Sequence, residues 1–291
     1  MACALDGIRV LDVTQVMAGP FASMVLCDMG ADVIKVESPS GDSSRRMAGS
    51  VGDDSPAFNA VNRGKRGLGL DLKTDRGSEI LRRLASSADI FIENYRPGVM
   101  KKLGLDYATL KPGNPGLIYA SISGYGQTGP LANRGGFDLV AQGVSGLMSV
   151  TGESKRPPVK VGIPVTDLGA GLFAVCGILG ALHHRDKTGE GQFVDSALVD
   201  AGVALSVWEA TQYFSRGEIP EALGSAHRMS APYQAIRCAD GYITLGAAND
   251  RLFERLADLL EHPEWKRDER FVTDSQRVQN REVLAAEIEE V

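Results

Sequence analysis

Between residues 8 and 122 the chain alternates short β-rich runs with helical stretches, and this alternation limits the fold more than any other feature. The β-rich runs cover residues 8–13, 33–36, 68–72, 89–94 and 117–122. A helical pattern opens at Ala18-Gly19-Pro20 and closes near Gly30. A second, residues 74–87, puts Ile80, Leu81 and Leu84 on one face. Repeated β-α alternation predicts a doubly wound, Rossmann-like α/β domain built on a parallel sheet. Ligands in such sheets bind beyond the carboxyl ends of the strands, so the loops after Val13, Val36, Asn94 and Ile122 are the ones to watch. Residues 38–62, rich in Ser, Gly, Asp and Arg, read as a loop with a short helix. Further on, the pattern predicts helices over 137–148, from Pro164 onward, and over 196–214, with a strand at 191–195. After Gly217 the character changes to a strand at 241–246, a helix from near Asn249 towards Glu261, a polar stretch at 262–279 and a terminal helix from Arg281. The expected organisation is a large α/β domain over 1–217 and the start of a smaller α+β domain over 218–291, which reads as incomplete.

Composition narrows the class. In 291 residues, 43% hydrophobic and 23% charged content fits a water-soluble globular chain. A net charge of −6 argues against a nucleic-acid surface but leaves room for a local basic pocket and an anionic ligand. Cys3, Cys27, Cys176 and Cys238 are widely spaced and form no CxxC pair, which predicts no disulfide framework, no zinc site and a reducing cytoplasmic setting. The four histidines form no HxxxH or HExxH pattern, so no metal site is readable. The N-terminus lacks the layout of a signal peptide. The uncharged run from Leu168 to Leu182 is short and glycine-rich for a membrane span and reads as a buried core helix, its small residues admitting a close neighbour.

At the head of that run, Pro164-Val165-Thr166-Asp167 places one carboxylate in the first turn of a helix. Free N–H groups and the helix dipole favour a carboxylate there. Asp167 reads either as a helix cap or as a nucleophile held against an apolar helix. A second motif, Gly124-Tyr125-Gly126-Gln127-Thr128-Gly129, matches GxGxxG after a predicted strand. Pro130 and a loop follow it, not a helix, which argues against a nicotinamide or flavin site.

Several stretches resemble, in order along the chain, the family III CoA-transferases. They are Leu11-Asp12-Val13 with Ala18-Gly19-Pro20-Phe21-Ala22, Gly30-Ala31-Asp32-Val33-Ile34-Lys35-Val36-Glu37, Asn62-Arg63-Gly64-Lys65-Arg66 and Glu93-Asn94-Tyr95-Arg96-Pro97-Gly98. Ser123-Gly124-Tyr125-Gly126, Gly136-Phe137-Asp138, Asp167-Leu168 and Thr188-Gly189-Glu190-Gly191-Gln192 complete the set. The resemblance implies that Asp167 is the catalytic carboxylate and that Val16, Met17, Ala18, Leu70, Lys73, Asn94, Lys102 and Leu103 contact CoA. It places Tyr125 in the active site, and Gly246 and Ala247 in a loop that closes over the reacting aspartate. That loop, Gly-Ala-Ala-Asn-Asp, has fewer glycines than in formyl-CoA transferase. With Gly224-Ser225-Ala226-His227 and Pro232-Tyr233-Gln234-Ala235 it is more similar to members that use succinyl-CoA and a dicarboxylate such as glutarate.

The activity implied is transfer of CoA from an acyl-CoA to a small carboxylic acid through an aspartyl anhydride and an aspartyl-CoA thioester. Coenzyme A then serves as substrate and no cofactor is permanently bound. Neither nucleic acid nor membrane is an expected partner. Family chains are longer, return from the small domain to the large one and interlock as homodimers, so this chain is expected to be a fragment. Two rival readings are an α-methylacyl-CoA racemase and an inert CoA-binding fragment. Racemases of the family carry a histidine where this chain has Phe137. Residue by residue, Lys73 and Lys102 also read as solvated charges, Asn94 as a turn former and Tyr125 as a loop residue. Arg45 and Arg46 read either as receptors for a substrate carboxylate or as loop charges.

Overall fold

The computed structural model describes residues 3–47, 49 and 55–291. The first two residues of the N-terminus, and residues 48 and 50–54 of the predicted 38–62 loop, lie outside the described residues. The chain divides into two compact units, Met1–Leu147 with Lys160–Ser215, and Met148–Val159 with Arg216–Val291.

The first unit is built on six strands: β1 (Arg9–Asp12), β2 (Asp32–Glu37), β3 (Arg66–Gly69), β4 (Ile90–Glu93), β5 (Ile118–Ser123) and β6 (Phe193–Ala197). All neighbouring pairs are parallel, in the order β3-β2-β1-β4-β5-β6. Leu11 sits in register with Ile34 on one side and Phe91 on the other. Central strands of a parallel sheet are covered on both faces and so read as continuous apolar runs, as Val10-Leu11 and Ile90-Phe91-Ile92 do. Val10, Ile90, Ile92, Ile118 and Ala120 pack with helices Ala18–Asp28 and Val165–Thr188. Leu11, Phe91 and Tyr119 pack with Leu81 and Ala85 of helix Asp75–Ala85. Each such Leu or Ile contributes about 1.5–3 kcal/mol of burial. The chain winds one way from β1 to β3 and the other way from β4 to β6. The strand order therefore reverses between β1 and β4, where a crevice opens at the carboxyl edge.

Helix Val165–Thr188 is long and apolar enough, by length and composition alone, to cross a membrane. In the fold Ala170, Ala174, Ile178 and Ala181 are buried against the sheet, as a core helix requires. Gly171 lies so near helix Ala18–Asp28 that a Cβ would stand 2.8 Å from the Ala18 carbonyl oxygen.

Several boundaries differ from those expected. The helix predicted over 137–148 is two, Asp138–Val144 and Leu147–Val150, parted at Gly146, whose φ of 87° no helix continues. The helix predicted over 196–214 begins after β6 and breaks at Ser206 into Leu198–Leu205 and Val207–Arg216. β3 and β6 are displaced by about two residues from the predicted runs, because pairing with Ile34–Glu37 and Tyr119–Ser123 sets their register.

The second unit holds an antiparallel pair, β7 (Tyr233–Cys238) and β8 (Gly241–Gly246). Helices Asp250–Leu259, Asp274–Gln279 and Arg281–Glu290 complete its small core of Phe253, Leu256, Trp265, Phe271 and Leu284. The polar stretch 262–279 is structured: Trp265 and Phe271 are buried, and Thr273 with Gln276 forms a capping box. Arg277 is fully buried. Its guanidinium donates to the Ala231 and Phe271 carbonyls, pairs with Asp250 and lies over the Phe253 ring.

Candidate active site at the carboxyl edge of the sheet

The loop leaving β1 is held almost entirely by side chains. Asp12 accepts from the Thr14 N–H at 3.0 Å and from its hydroxyl at 2.5 Å. Lys35 Nζ, on β2, donates to the Thr14 carbonyl at 2.9 Å. Asn94, just past β4, accepts from the Gln15 N–H at 2.9 Å and donates to the Gln15 carbonyl at 2.8 Å. Asp42 accepts from the Val16 N–H at 3.2 and 3.3 Å. Val16 is thereby held at φ 69°, in the left-handed region, where a β-branched residue is strained.

Two buried ion pairs anchor this arrangement. Lys35 meets Asp42 at 3.1 Å and Lys65 meets Asp12 at 2.9 Å, with all four side chains at most 2% exposed. Burial pushes Asp12 upward, but Lys65, Lys35 and the Ser23 and Thr14 hydroxyls hold it below the usual carboxylate range. Asp42 is likewise kept low against burial, by the Ser44 N–H and hydroxyl and by Lys35.

Asp167 faces this loop across a cleft of about 330 Å³, whose lining includes Gln15, Val16, Met17, Ala18, Asn94 and Arg96. Gly136, Phe137 and Asp138 close it from the loop after β5. The cap of the long helix is supplied elsewhere. Asp138 accepts from the Thr166 N–H at 3.0 Å and from its hydroxyl at 2.7 Å, and its other oxygen accepts from Gln142 at 2.7 Å. Among the described residues no hydrogen bond reaches the Asp167 carboxylate. Burial, with the like charge of Asp138 adding to it, pushes Asp167 up to about 7. A neighbouring carboxylate, Glu93 at the end of β4, is also pushed up to about 7 by burial, although it accepts from Ser121 and from the Tyr95 N–H.

The cleft thus gathers Val16, Met17, Ala18, Asn94 and Asp167. Leu70 is half-buried after β3 and Lys73 is exposed beside it. Lys102 and Leu103 end the short helix after β4. These four follow carboxyl ends of strands but do not line the cleft. Tyr125 is half-buried in the loop after β5, also outside the lining. Gly246 ends β8 in the second unit, and the Ala247 N–H there donates to the Pro232 carbonyl at 2.8 Å. Arg45 is committed: it grips Glu37 with two bonds of 2.7 Å and lies 3.6 Å over the Phe58 ring. Arg46 donates to the Ser40 carbonyl.

In the GxGxxG stretch, Gly124 meets Gly136 backbone to backbone, where a Cβ on either would stand within 2.6 Å of the other's Cα. That close approach accounts for the first glycine without a nucleotide. Sequence reasoning passed over Gln15, Tyr95, Arg96 and Asp138 as site residues. Tyr95, Arg96 and Asp138 lie inside stretches that carry the family resemblance, and Gln15, Tyr95 and Arg96 follow the carboxyl ends of β1 and β4; those were the signals that could have found them.

Residues 5–291 match the sequence pattern described as CoA-transferase family III. The chain is 45% identical over 294 residues to the succinyl-CoA:mesaconate CoA-transferase of Haloarcula hispanica, a match covering 98% of this chain and 74% of that protein. It is 43% identical over 282 residues to the succinate–glutarate CoA-transferase of Agrobacterium fabrum, covering 94% and 70%. It is 41% identical over 282 residues to the human succinyl-CoA:glutarate CoA-transferase, covering 96% and 64%. Among solved structures, a CAIB/BAIF family protein from Brucella suis superposes with a TM-score of 0.87 at 44% identity, over 100% of this chain and 78% of that one.

Proposed function

The chain belongs to CoA-transferase family III, an enzyme family, and from that premise we propose that it moves CoA from succinyl-CoA, or a similar acyl-CoA, to a dicarboxylate. Asp167 is the nucleophile in this reading. Its carboxylate attacks the thioester carbonyl, expelling CoA thiolate and leaving an acyl-aspartyl anhydride. The thiolate attacks the aspartyl carbonyl of that anhydride, releasing the donor acid and leaving an aspartyl-CoA thioester. The acceptor carboxylate then displaces the thiolate, and the thiolate takes the new acyl group, freeing Asp167. Covalent catalysis divides one difficult exchange into four acyl transfers.

The observation that carries this reading is the state of Asp167: half-buried, bonded to no donor among the described residues, and facing the loop after β1. A carboxylate that is not spent on capping, and whose basicity burial raises, is a better nucleophile than a solvated one. The apolar helix beneath it limits water, which would hydrolyse both intermediates. CoA would lie along Val16, Met17, Ala18 and Asn94 and extend over the strand-end residues Leu70, Lys73, Lys102 and Leu103. The four cysteines are free thiols, which supports a cytoplasmic setting.

The test is direct. Succinyl-CoA and glutarate are incubated with the protein, and glutaryl-CoA is sought by mass spectrometry. A sample quenched with hydroxylamine should carry a hydroxamate at Asp167. Asp167→Ala should be folded and inactive; transfer by that variant near the wild-type rate would overturn the assignment.

A further inference from the structure

Three carboxylates are buried among the described residues: Asp12, Asp42 and Glu93. Asp12 and Asp42 each meet a lysine. Glu93, 4% exposed, meets no cation among the described residues; N–H and O–H donors alone answer its two oxygens. A buried carboxylate is costly to hold without a counter-charge, and an acceptor needed for stability alone could be neutral.

The bonds of Glu93 tie together the loops that follow β4 and β5. Glu93 is in register with Ser121 on β5, and Ser121 with Asp195 on β6, so the three stand in one rank across the sheet. Ser121 donates to Glu93 Oε1 and accepts from Gln127 Nε2 at 2.7 Å. The Gln127 N–H donates to Asp195 at 2.9 Å, which holds the loop after β5 against the rank. The other Glu93 oxygen accepts from the Tyr95 N–H at 2.7 Å and closes a turn around Asn94. Both residues of that turn hold Gln15. The Asn94 amide grips the Gln15 N–H and carbonyl at 2.9 and 2.8 Å, and the Tyr95 phenol accepts from Gln15 Nε2 at 3.0 Å. Gln15 and Val16 line the cleft with Asp167.

Resting on the function proposed above, we propose that Glu93 is a positioning residue of the transfer reaction: it fixes the Asn94–Tyr95 turn, and the turn fixes the Gln15–Val16 segment against which the acyl-CoA meets Asp167. Glu93 itself touches no reactant and acts only through Asn94 and Tyr95. Displacing such a segment by about 1 Å costs up to about 100-fold in rate.

The test reads the segment and the reaction separately. Amide exchange is measured by NMR at Gln15 and Val16, and transfer from succinyl-CoA to glutarate is measured as kcat/KM. The proteins are wild type, Glu93→Ala, Glu93→Gln, Ser121→Ala and Leu81→Ala. Leu81 packs on the same face of the sheet with Phe91 and Tyr119, so its variant loses stability and none of these hydrogen bonds. Thermal melts set a temperature at which every variant is folded; Glu93→Met, which fills the space without an equivalent acceptor, replaces Glu93→Ala if that variant melts too low. Glu93→Ala should speed exchange of the Gln15 N–H at least tenfold, and that of the Val16 N–H, held by Asp42, much less. Its kcat/KM should fall about 10–100-fold. Glu93→Gln keeps an oxygen for the Tyr95 N–H and offers its amide to the Ser121 hydroxyl, so both readouts should stay within threefold of wild type. Ser121→Ala, which leaves the Tyr95 bond, should fall between. Unchanged Gln15 exchange in Glu93→Ala would overturn the proposal. So would Leu81→Ala moving both readouts as far as Glu93→Ala does, since lost stability would then explain them. If wild type transfers CoA and Glu93→Ala matches it, the transferase reading stands and the positioning role falls. If wild type transfers CoA to no acid while Glu93→Ala still frees Gln15, the anchoring of Gln15 stands and the transferase reading falls.

Discussion

Replacing Asp167 by Asn separates a helix cap from a buried nucleophile through the pH dependence of stability. The unfolded side chain titrates near 3.8 and the folded one at about 7. Between those values the unfolded chain has lost its proton while the folded chain keeps it. Stability therefore falls as pH rises through the window, and the loss is complete above the folded value. Each pH unit is worth about 1.4 kcal/mol, so the window sets an upper bound of roughly 4 kcal/mol. Water at the cleft mouth screens part of this, leaving about 2–4 kcal/mol. Asn cannot ionise and escapes the loss. Urea unfolding at pH 4 should find Asp167→Asn within about 1 kcal/mol of wild type. At pH 8 the variant should be more stable by about 2–4 kcal/mol, with its melting point raised by several degrees. Glu93, raised for the same reason, titrates alike in both proteins and cancels in the difference. A difference that does not change with pH, or a variant less stable at pH 8, would refute the reasoning.

Transfer should strengthen as pH rises through about 7, where Asp167 ionises, and Asp138→Asn, which removes a like charge but keeps an acceptor for Thr166, should move the midpoint of the pH–rate profile down. Asp42→Ala leaves Lys35 buried without its partner and should cost about 3–5 kcal/mol in urea unfolding. Val16→Gly, freed of the strain at φ 69°, should change stability by less than about 1 kcal/mol while lowering the transfer rate, since the loop no longer has one preferred shape. Gly136→Ala puts a Cβ 2.4 Å from the Gly124 Cα and should cost about 1–3 kcal/mol in a thermal melt, whereas Gly67→Ala, with open space around it, should not.

The doubly wound sheet can be read from the chain because its central strands are apolar on both faces, and Val10-Leu11 and Ile90-Phe91-Ile92 carry that pattern openly. β3, Arg66-Gly67-Leu68-Gly69, has no such pattern; its neighbour β2 places it. β7, Tyr233-Gln234-Ala235-Ile236-Arg237-Cys238, is not legible because Gln234 and Arg237 fall on opposite faces and break any apolar alternation; its antiparallel pairing with β8 places it. Residues 262–279 look like a loop because Trp265 and Phe271, which anchor them, follow no helical period. At the site, Pro164 to Asp167 announces a carboxylate at a helix start but leaves its role open. The deciding contact is Asp138 on Thr166, across 28 positions. The strand-end position of Val16 and Asn94 follows from the alternation. The bonds between Asn94 and Gln15, 79 positions apart, do not.

The way residues 14–16 are held bears on how this site can be altered or transplanted. Thr14, Gln15 and Val16 take their backbone partners from Asp12, Lys35, Asp42 and Asn94. A segment that kept its shape by its own turn chemistry could be exchanged as a cassette. This one takes its shape from the ends of three strands and the turn after β2, and cut out alone it would arrive in a new host with its polar groups unanswered. The smallest exchangeable piece is therefore discontinuous, comprising the loop together with residues 12, 35, 42 and 94. Libraries that randomise residues 14–17 while leaving those four fixed would vary what the cleft presents to a ligand without releasing the frame that presents it.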